Sequence, residues 1–281
     1  ESRPLARQLA ETADVVIDNF SVGVLDRWDV GYQRISGTNP GVIYVQMSGM
    51  GDDGPWADFV TYAPTIHALA GLTHLTGVAG REDIGIGFSY NDHQAGLHAA
   101  VAILAALEAR QRSGRGQRID ISQFEVGVNF AGPSLLDYFA TGRAAQPVGN
   151  RLPYDQAAPH ACYRCAPEVV TCVAEERWVA IACLEDAQWR SLRRVLGNPA
   201  WAADARLDSA AGRVAAMVEI DEQLSQWTRK RDAYEVMDLC QRSGVPAGVV
   251  QNGLDLMERD PQLRASGFAH PVEITDSSLQ H

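Results

Sequence analysis

Two short runs near the start of the chain, Ala13-Asp14-Val15-Val16-Ile17-Asp18 and Val42-Ile43-Tyr44-Val45-Gln46-Met47, are apolar without alternating hydrophobic and polar positions. Such runs mark strands of a parallel sheet covered by helices on both faces. Segments of helical spacing precede and separate them, over residues 4–12 and 23–35. Strand–helix–strand order of this kind predicts a doubly wound α/β domain. A polar, glycine-rich loop at 48–55 follows the second strand. Helical spacing returns over 62–72, and a loop over 73–91 leads into a long helix at 93–111. That helix carries Ala99-Ala100-Val101-Ala102-Ile103-Leu104-Ala105-Ala106-Leu107. Its small side chains permit close approach and predict a central position. Gly114 suits the left-handed C-cap, and Asp92 is expected at the N-cap. A strand over 117–122 and a helix over 123–139 complete a large domain at 1–145.

A polar stretch over 141–159 with Pro147, Pro153 and Pro159 reads as a linker. Beyond it the pattern predicts a smaller α/β domain at 146–235. This has strands at 169–174 and 178–182, then helices bearing Trp189, Trp201 and Trp227. A strand at 245–250 and a short helix at 253–259 fall in a segment, 236–281, expected to return towards the large domain. No internal repeat or low-complexity segment is evident.

Composition narrows the function classes. The 281 residues are 46% apolar and 21% charged, ordinary for a globular protein. The net charge of −11 argues against nucleic-acid binding, which needs a basic face. No run approaches the ~20 apolar residues that span a bilayer; the best candidate, 96–109, is interrupted by His98 and Glu108. The opening Glu1-Ser2-Arg3-Pro4 has neither an initiator Met nor a signal pattern. The expectation is a cytoplasmic protein whose N-terminus is incomplete here. Of five cysteines, Cys162-x-x-Cys165 near His160 has the spacing of a zinc half-site. Cys172 and Cys183 lie in apolar runs, and there is no second CxxC. Reduced, buried thiols and no metal are expected.

No P-loop, HExxH or GxSxG occurs. Gly49-Met50-Gly51-Asp52-Asp53-Gly54 follows a strand, but Pro55 stands where a helix should open and its acidic pair would repel a pyrophosphate. The segment Ser89-Tyr90-Asn91-Asp92-His93-Gln94-Ala95-Gly96 is more informative. An aspartate at a helix start is a favoured cap, yet it is also kept ionised there, and an ionised carboxylate can act as a nucleophile.

Several segments then carry a resemblance in a fixed order. They are Ala13-Asp14-Val15-Val16-Ile17-Asp18-Asn19-Phe20 with Gly23-Val24-Leu25-Asp26-Arg27, and Asn39-Pro40 to Ser48-Gly49 and Gly54-Pro55. Asp92-x-x-Ala95-Gly96 leading to Gly114-Arg115-Gly116-Gln117-x-Ile119-Asp120-Ile121-Ser122 is the most specific. Arg177-Trp178-Val179-Ala180-Ile181-Ala182 and Gly244-Val245-Pro246-Ala247-Gly248 to Asp260-Pro261-Gln262-Leu263 complete the set. The chain resembles the family III CoA-transferases, the group of carnitine and formyl-CoA transferases and alpha-methylacyl-CoA racemase. The resemblance implies a Rossmann-like large domain with a parallel sheet, a smaller second α/β domain and an interlocked homodimer. It implies CoA transfer from an acyl-CoA to a free carboxylic acid, with the CoA thioester as substrate and no permanently bound cofactor. Asp92 matches the catalytic aspartate. Asn19, Phe20 and Arg27 match CoA-site positions, and Tyr62 an active-site tyrosine that is histidine in the racemases. Racemase activity and a non-catalytic CoA-binding fragment are the alternatives. By the same resemblance the chain lacks the family's first strand and loop and its closing segment, and Phe59-Val60-Thr61 hold no counterpart of formyl-CoA transferase's lysine. His67 and His93 read as structural. Arg115 and Arg118 could meet phosphate, though cations after a helix C-terminus are favoured in any case.

Overall fold

The computed structural model describes residues 2–154, 156–170 and 173–270. Cys172, expected in a buried strand, lies outside the described residues. The chain folds as two units that divide between Gly149 and Asn150.

The first unit is built on a three-stranded parallel sheet in the order β1 (Val15–Asp18), β2 (Ile43–Gln46), β3 (Arg118–Asp120). Helix α1 (Ser2–Thr12) precedes β1, and α2 (Val24–Arg27) and α3 (Tyr32–Thr38) lead to β2. Next come α4 (Ala63–Leu69), α5 (Leu72–Leu75) and the long α6 (Tyr90–Ser113). After β3 come α7 (Gln123–Phe130) and α8 (Gly132–Thr141). Strand β2 explains the arrangement. Its residues alternate between two faces: Val42 and Tyr44 pack with Ala10, Leu25, Val30 and Ile35, whereas Ile43 and Val45 pack with Ala99 and Ala106 of α6. Both sets are buried, so an unalternating run is what this position requires. The Tyr44 hydroxyl, brought into the core, donates to the Val30 carbonyl at 2.9 Å. Two side chains lock the sheet to its helices. Asn39 donates to the Ala13 carbonyl at 2.9 Å, and Arg110 of α6 donates to the Gly41 carbonyl at 2.9 Å and pairs with Asp14 at 3.0 Å. Gly116 is required where the chain re-enters the sheet, because a Cβ there would stand 1.9 Å from the Val42 carbonyl oxygen.

Several sequence expectations need correction. The helix expected over 23–35 is two short helices, because Asp29 adopts a left-handed conformation (φ 60°) and ends the first. The helix expected over 123–139 breaks at Ala131, where Gly132 and Pro133 open a new first turn that tolerates proline. Strand β1 is not covered on both faces: Ile17 is 51% exposed. Asp92 is not the N-cap of α6. That place is Ser89, and Asp92 is the third helical residue.

The second unit has an antiparallel sheet in the order β4 (His160–Arg164), β7 (Trp178–Ala182), β8 (Ala247–Val249). A second antiparallel pair joins β5 (Glu168–Val170) to β6 (Val173–Glu175). Helices α9 (Asp186–Val195), α10 (Ala210–Ala215), α11 (Met217–Thr228), α12 (Ala233–Arg242) and α13 (Pro261–Ser266) complete it. Val179, Ile181, Trp189, Leu192, Ile220, Leu224 and Val236 form its core. Strand β8, in the segment expected to return towards the large domain, lies on the edge of this sheet. Strand β4 was not anticipated; it covers the segment with the zinc-like spacing. Cys165 is buried in the core just past β4, while Cys162 lines a cavity.

A buried ion pair ties this unit together. Asp255 and Arg177 are both buried, with Arg177 Nη2 2.6 Å from Asp255 Oδ2. Asp255 also accepts the Asn252 backbone N–H at 3.0 Å, and Arg259 joins Asp255 to Glu168 at the surface. Among the described residues no helix is long and apolar enough to cross a membrane.

Candidate active site

The C-terminal ends of β1 and β2 and the starts of α4, α6 and α7 enclose a cleft of about 410 Å³. Open α/β sheets characteristically bind ligands at this end of their strands. The wall is formed by Asn19 after β1, Gly49 after β2, Thr61 to Pro64 and Ile66 around α4, Ser89 and Asp92 of α6, and Gln123 of α7.

Local bonds fix each of these elements. Asp18 at the end of β1 accepts the Phe20 N–H at 3.1 Å, an Asx turn that sets the backbone of Asn19. Burial pushes the Asp18 carboxyl above its ordinary range, against that N–H bond. The loop after β2 docks on α7: the Ser48 and Gly49 carbonyls accept the Gln123 and Phe124 N–H groups at 3.1 and 2.9 Å. The Ser122 hydroxyl accepts the Glu125 N–H at 3.2 Å. The orphan donors of that helix start are thereby satisfied. The first turn of α6 is held from both sides. Asn91, fully buried, donates its backbone N–H to Nε2 of His67 at 3.2 Å and its side-chain amide to the Gln123 carbonyl at 3.3 Å.

Asp92 and Tyr62 are the ionisable side chains on the wall. The Asp92 Oδ2 is shielded from solvent and has no hydrogen-bond partner, and its carboxylate does not cap α6. Asp92 stands in the first turn of a 24-residue helix, where the aligned peptide dipoles attract negative charge. The wall hydroxyls of Thr61 and Ser89 would need a base to become nucleophiles. An ionised carboxylate needs none. A cavity of about 400 Å³ in the second unit has no carboxylate on its wall, where Asn150, His160 and Cys162 stand among apolar residues such as Ala161, Ile181 and Pro246. Burial pushes the Cys162 thiol up, away from the reactive thiolate.

Of the residues singled out in the sequence, the cleft gathers Asp92, Asn19 and Tyr62, the last 77% exposed at its rim. Phe20 and Arg27 do not line it. Phe20 packs edge-on against Trp28 with ring centroids 5.6 Å apart. Arg27 is exposed, its guanidinium lying over Gly23. Arg118 is engaged by the Gln46 side chain at 2.7 Å and by Asp52, which leaves its phosphate role unsupported. Thr61, Ser89 and Gln123 were missed. The signal for Gln123 was its place one residue after the Ile119-Asp120-Ile121-Ser122 block.

Residues 1–280 match the family model described as CoA-transferase family III. The chain is 30% identical over 265 residues to succinyl-CoA–D-citramalate CoA-transferase of Chloroflexus aurantiacus, covering 94% of this chain and 63% of that protein. It is 32% identical over 279 residues to succinate–glutarate CoA-transferase of Agrobacterium fabrum, covering 99% and 67%. The chain thus spans about two thirds of the length of these relatives. A crystal structure of a CAIB/BAIF family protein from Brucella suis superposes with a TM-score of 0.85 at 30% identity, covering 98% of this chain and 72% of that one.

Proposed function

Because the chain belongs to CoA-transferase family III, we propose that it moves CoA from an acyl-CoA to a free carboxylic acid, with Asp92 as the nucleophile. The observation that carries this is the Asp92 carboxylate, unpartnered at Oδ2 and set among helix starts on the cleft wall. In the first step an Asp92 oxygen attacks the thioester carbonyl. The C–S bond breaks, CoA leaves as thiolate, and an aspartyl–acyl anhydride forms. The thiolate then attacks the Asp92 carbonyl and releases the donor acid as carboxylate, leaving an aspartyl-CoA thioester. The acceptor carboxylate repeats these steps in reverse order and leaves with CoA. Helix-start dipoles lower the cost of the anionic tetrahedral intermediates. CoA is a substrate here, with no resident cofactor or metal in the scheme.

Racemisation of an α-carbon needs an acid–base pair across the substrate. Tyr62, matching the position that is histidine in the family's racemases, favours transfer. Trapping the acyl-enzyme in the full-length protein separates these readings, since transfer alone forms a covalent Asp92 adduct and a CoA-binding fragment forms none.

Arg27 is proposed to hold a CoA phosphate, with Asn19, Phe20 and Tyr62 bordering the ligand. Among the described residues Arg27 forms no ion pair, so it is available in a chain of net charge −11. A charge-assisted hydrogen bond contributes about 1.5–3 kcal/mol. Arg27→Ala should therefore weaken CoA binding roughly ten- to a hundred-fold by titration calorimetry. Turnover at saturating acyl-CoA should change little, since a remote phosphate contact serves ground and transition states alike. Unchanged CoA affinity would show that the phosphate lies elsewhere.

The working form is proposed to be an interlocked homodimer in the cytoplasm. Leu97, Val101 and Leu104, one turn apart on α6, are exposed, as are Leu136 and Phe139 on α8. Apolar groups so placed favour association. Light scattering of the full-length protein should give twice the chain mass, maintained on dilution because the chains must unthread. A monomer contradicts this.

A further inference from the structure

We infer that His67 is a positioning residue for Asp92, an inference that rests on the nucleophilic role proposed above. Helix α6 opens without a side-chain cap: the Ser89 side chain at the N-cap accepts none of the first-turn N–H groups. One of those groups, on Asn91, is buried and requires an acceptor. The acceptor is Nε2 of His67, 24 residues earlier on α4 and 2% exposed. A ring nitrogen that accepts an N–H must carry a free lone pair, so this bond requires the tautomer with the proton on Nδ1.

His67 therefore caps α6 from another helix. A cationic imidazolium at this point would lose the bond and oppose the positive end of the helix dipole. Its ring is committed to the backbone, and the cleft is lined by its neighbour Ile66 rather than by His67. This separates a positioning role from that of a general base. The bond closes on the residue immediately before the nucleophile. Asn91 is held a second time through its amide to the Gln123 carbonyl. Gly127 makes room for that amide, because a Cβ there would stand 2.5 Å from Asn91 Nδ2. With the peptide preceding Asp92 fixed at both the backbone and the side chain, the carboxylate has little freedom to drift. Near-attack geometry is sensitive to displacements of about 1 Å, which can lower rates ~100-fold.

The test compares His67→Leu with His67→Gln in the full-length protein. Leucine fills similar space but cannot accept a hydrogen bond; the glutamine Oε1 can. His67→Leu should lower kcat by about ten- to a hundred-fold while leaving the CoA dissociation constant unchanged. His67→Gln should recover most of the loss. Wild-type kcat in His67→Leu, or equal impairment of two folded variants, overturns the inference. Should His67→Leu fail to fold, amide hydrogen exchange in the wild-type protein decides. The Asn91 N–H should be protected like the helix interior, and rapid exchange overturns the inference. A wild-type protein without any transfer would instead sink the proposed function and leave the exchange result standing.

Discussion

Asp92→Asn should lower CoA transfer by four or more orders of magnitude, the scale seen when a covalent nucleophile is removed. Asparagine keeps the shape of the side chain but removes the charge that attacks the thioester. The fold should tolerate the change. Asp92 is not the cap of α6, and its Oδ2 has no partner to lose. A stability change below about 1 kcal/mol is expected, equivalent to a melting shift of a few degrees for a unit of this size. Affinity for CoA should be preserved. The opposite pattern, retained turnover with a large fall in stability, would make Asp92 a structural residue of the helix start.

The largest stability effect is expected at Asp255. Removing one partner of a buried ion pair leaves the other charge uncompensated, a loss of about 3–5 kcal/mol. Asp255→Ala takes the nearer carboxylate from the buried Arg177, leaving it only Glu168 at 3.5 Å, and also removes the acceptor of the Asn252 N–H. Trp178, Trp189, Trp201 and Trp227 are four of the chain's six tryptophans and lie in the second unit, so fluorescence-monitored urea unfolding reports chiefly on it. The same pair sets an acid limit. Burial raises the Asp255 pKa, but the Asn252 N–H and the Arg177 guanidinium outweigh it and hold the carboxyl below its ordinary 3.8. A depressed acid contributes stability above its unfolded pKa and loses it as pH falls through the folded value. The second unit should therefore weaken below about pH 4, and the acid slope should be shallower in Asp255→Ala. Less than about 1 kcal/mol of destabilisation, with an unchanged acid slope, would reduce the pair to a surface-like contact.

The parallel strands were legible because β2, enclosed on both faces, shows no alternation. The C-cap of α6 was legible because Gly114 takes a left-handed conformation (φ 70°). Breaks inside helical patterns were not: neither the turn of Asp29 nor the restart at Gly132 interrupts the apolar spacing. Strand β4 follows directly on the polar stretch that ends at Pro159, and its short run around Cys162 shows no apolar pattern to mark it. Asp92 was legible as a residue of a helix start, but its position in the turn was not. The helix start there includes a bond from the Asn91 N–H to His67 on another helix, a contact across 24 residues that no local pattern records. The gathering of Asn19, Tyr62 and Asp92 followed from resemblance to a family, whereas Thr61, Ser89 and Gln123 reach the cleft wall through tertiary packing.

The most direct test is mass spectrometry of the full-length protein incubated with an acyl-CoA and quenched with hydroxylamine, which converts an activated aspartyl group to a hydroxamate. The modification should fall on the peptide carrying Asp92, require the acyl-CoA, and vanish in Asp92→Asn. Active protein with an unmodified Asp92, or with the hydroxamate on another carboxylate, would contradict the proposed mechanism.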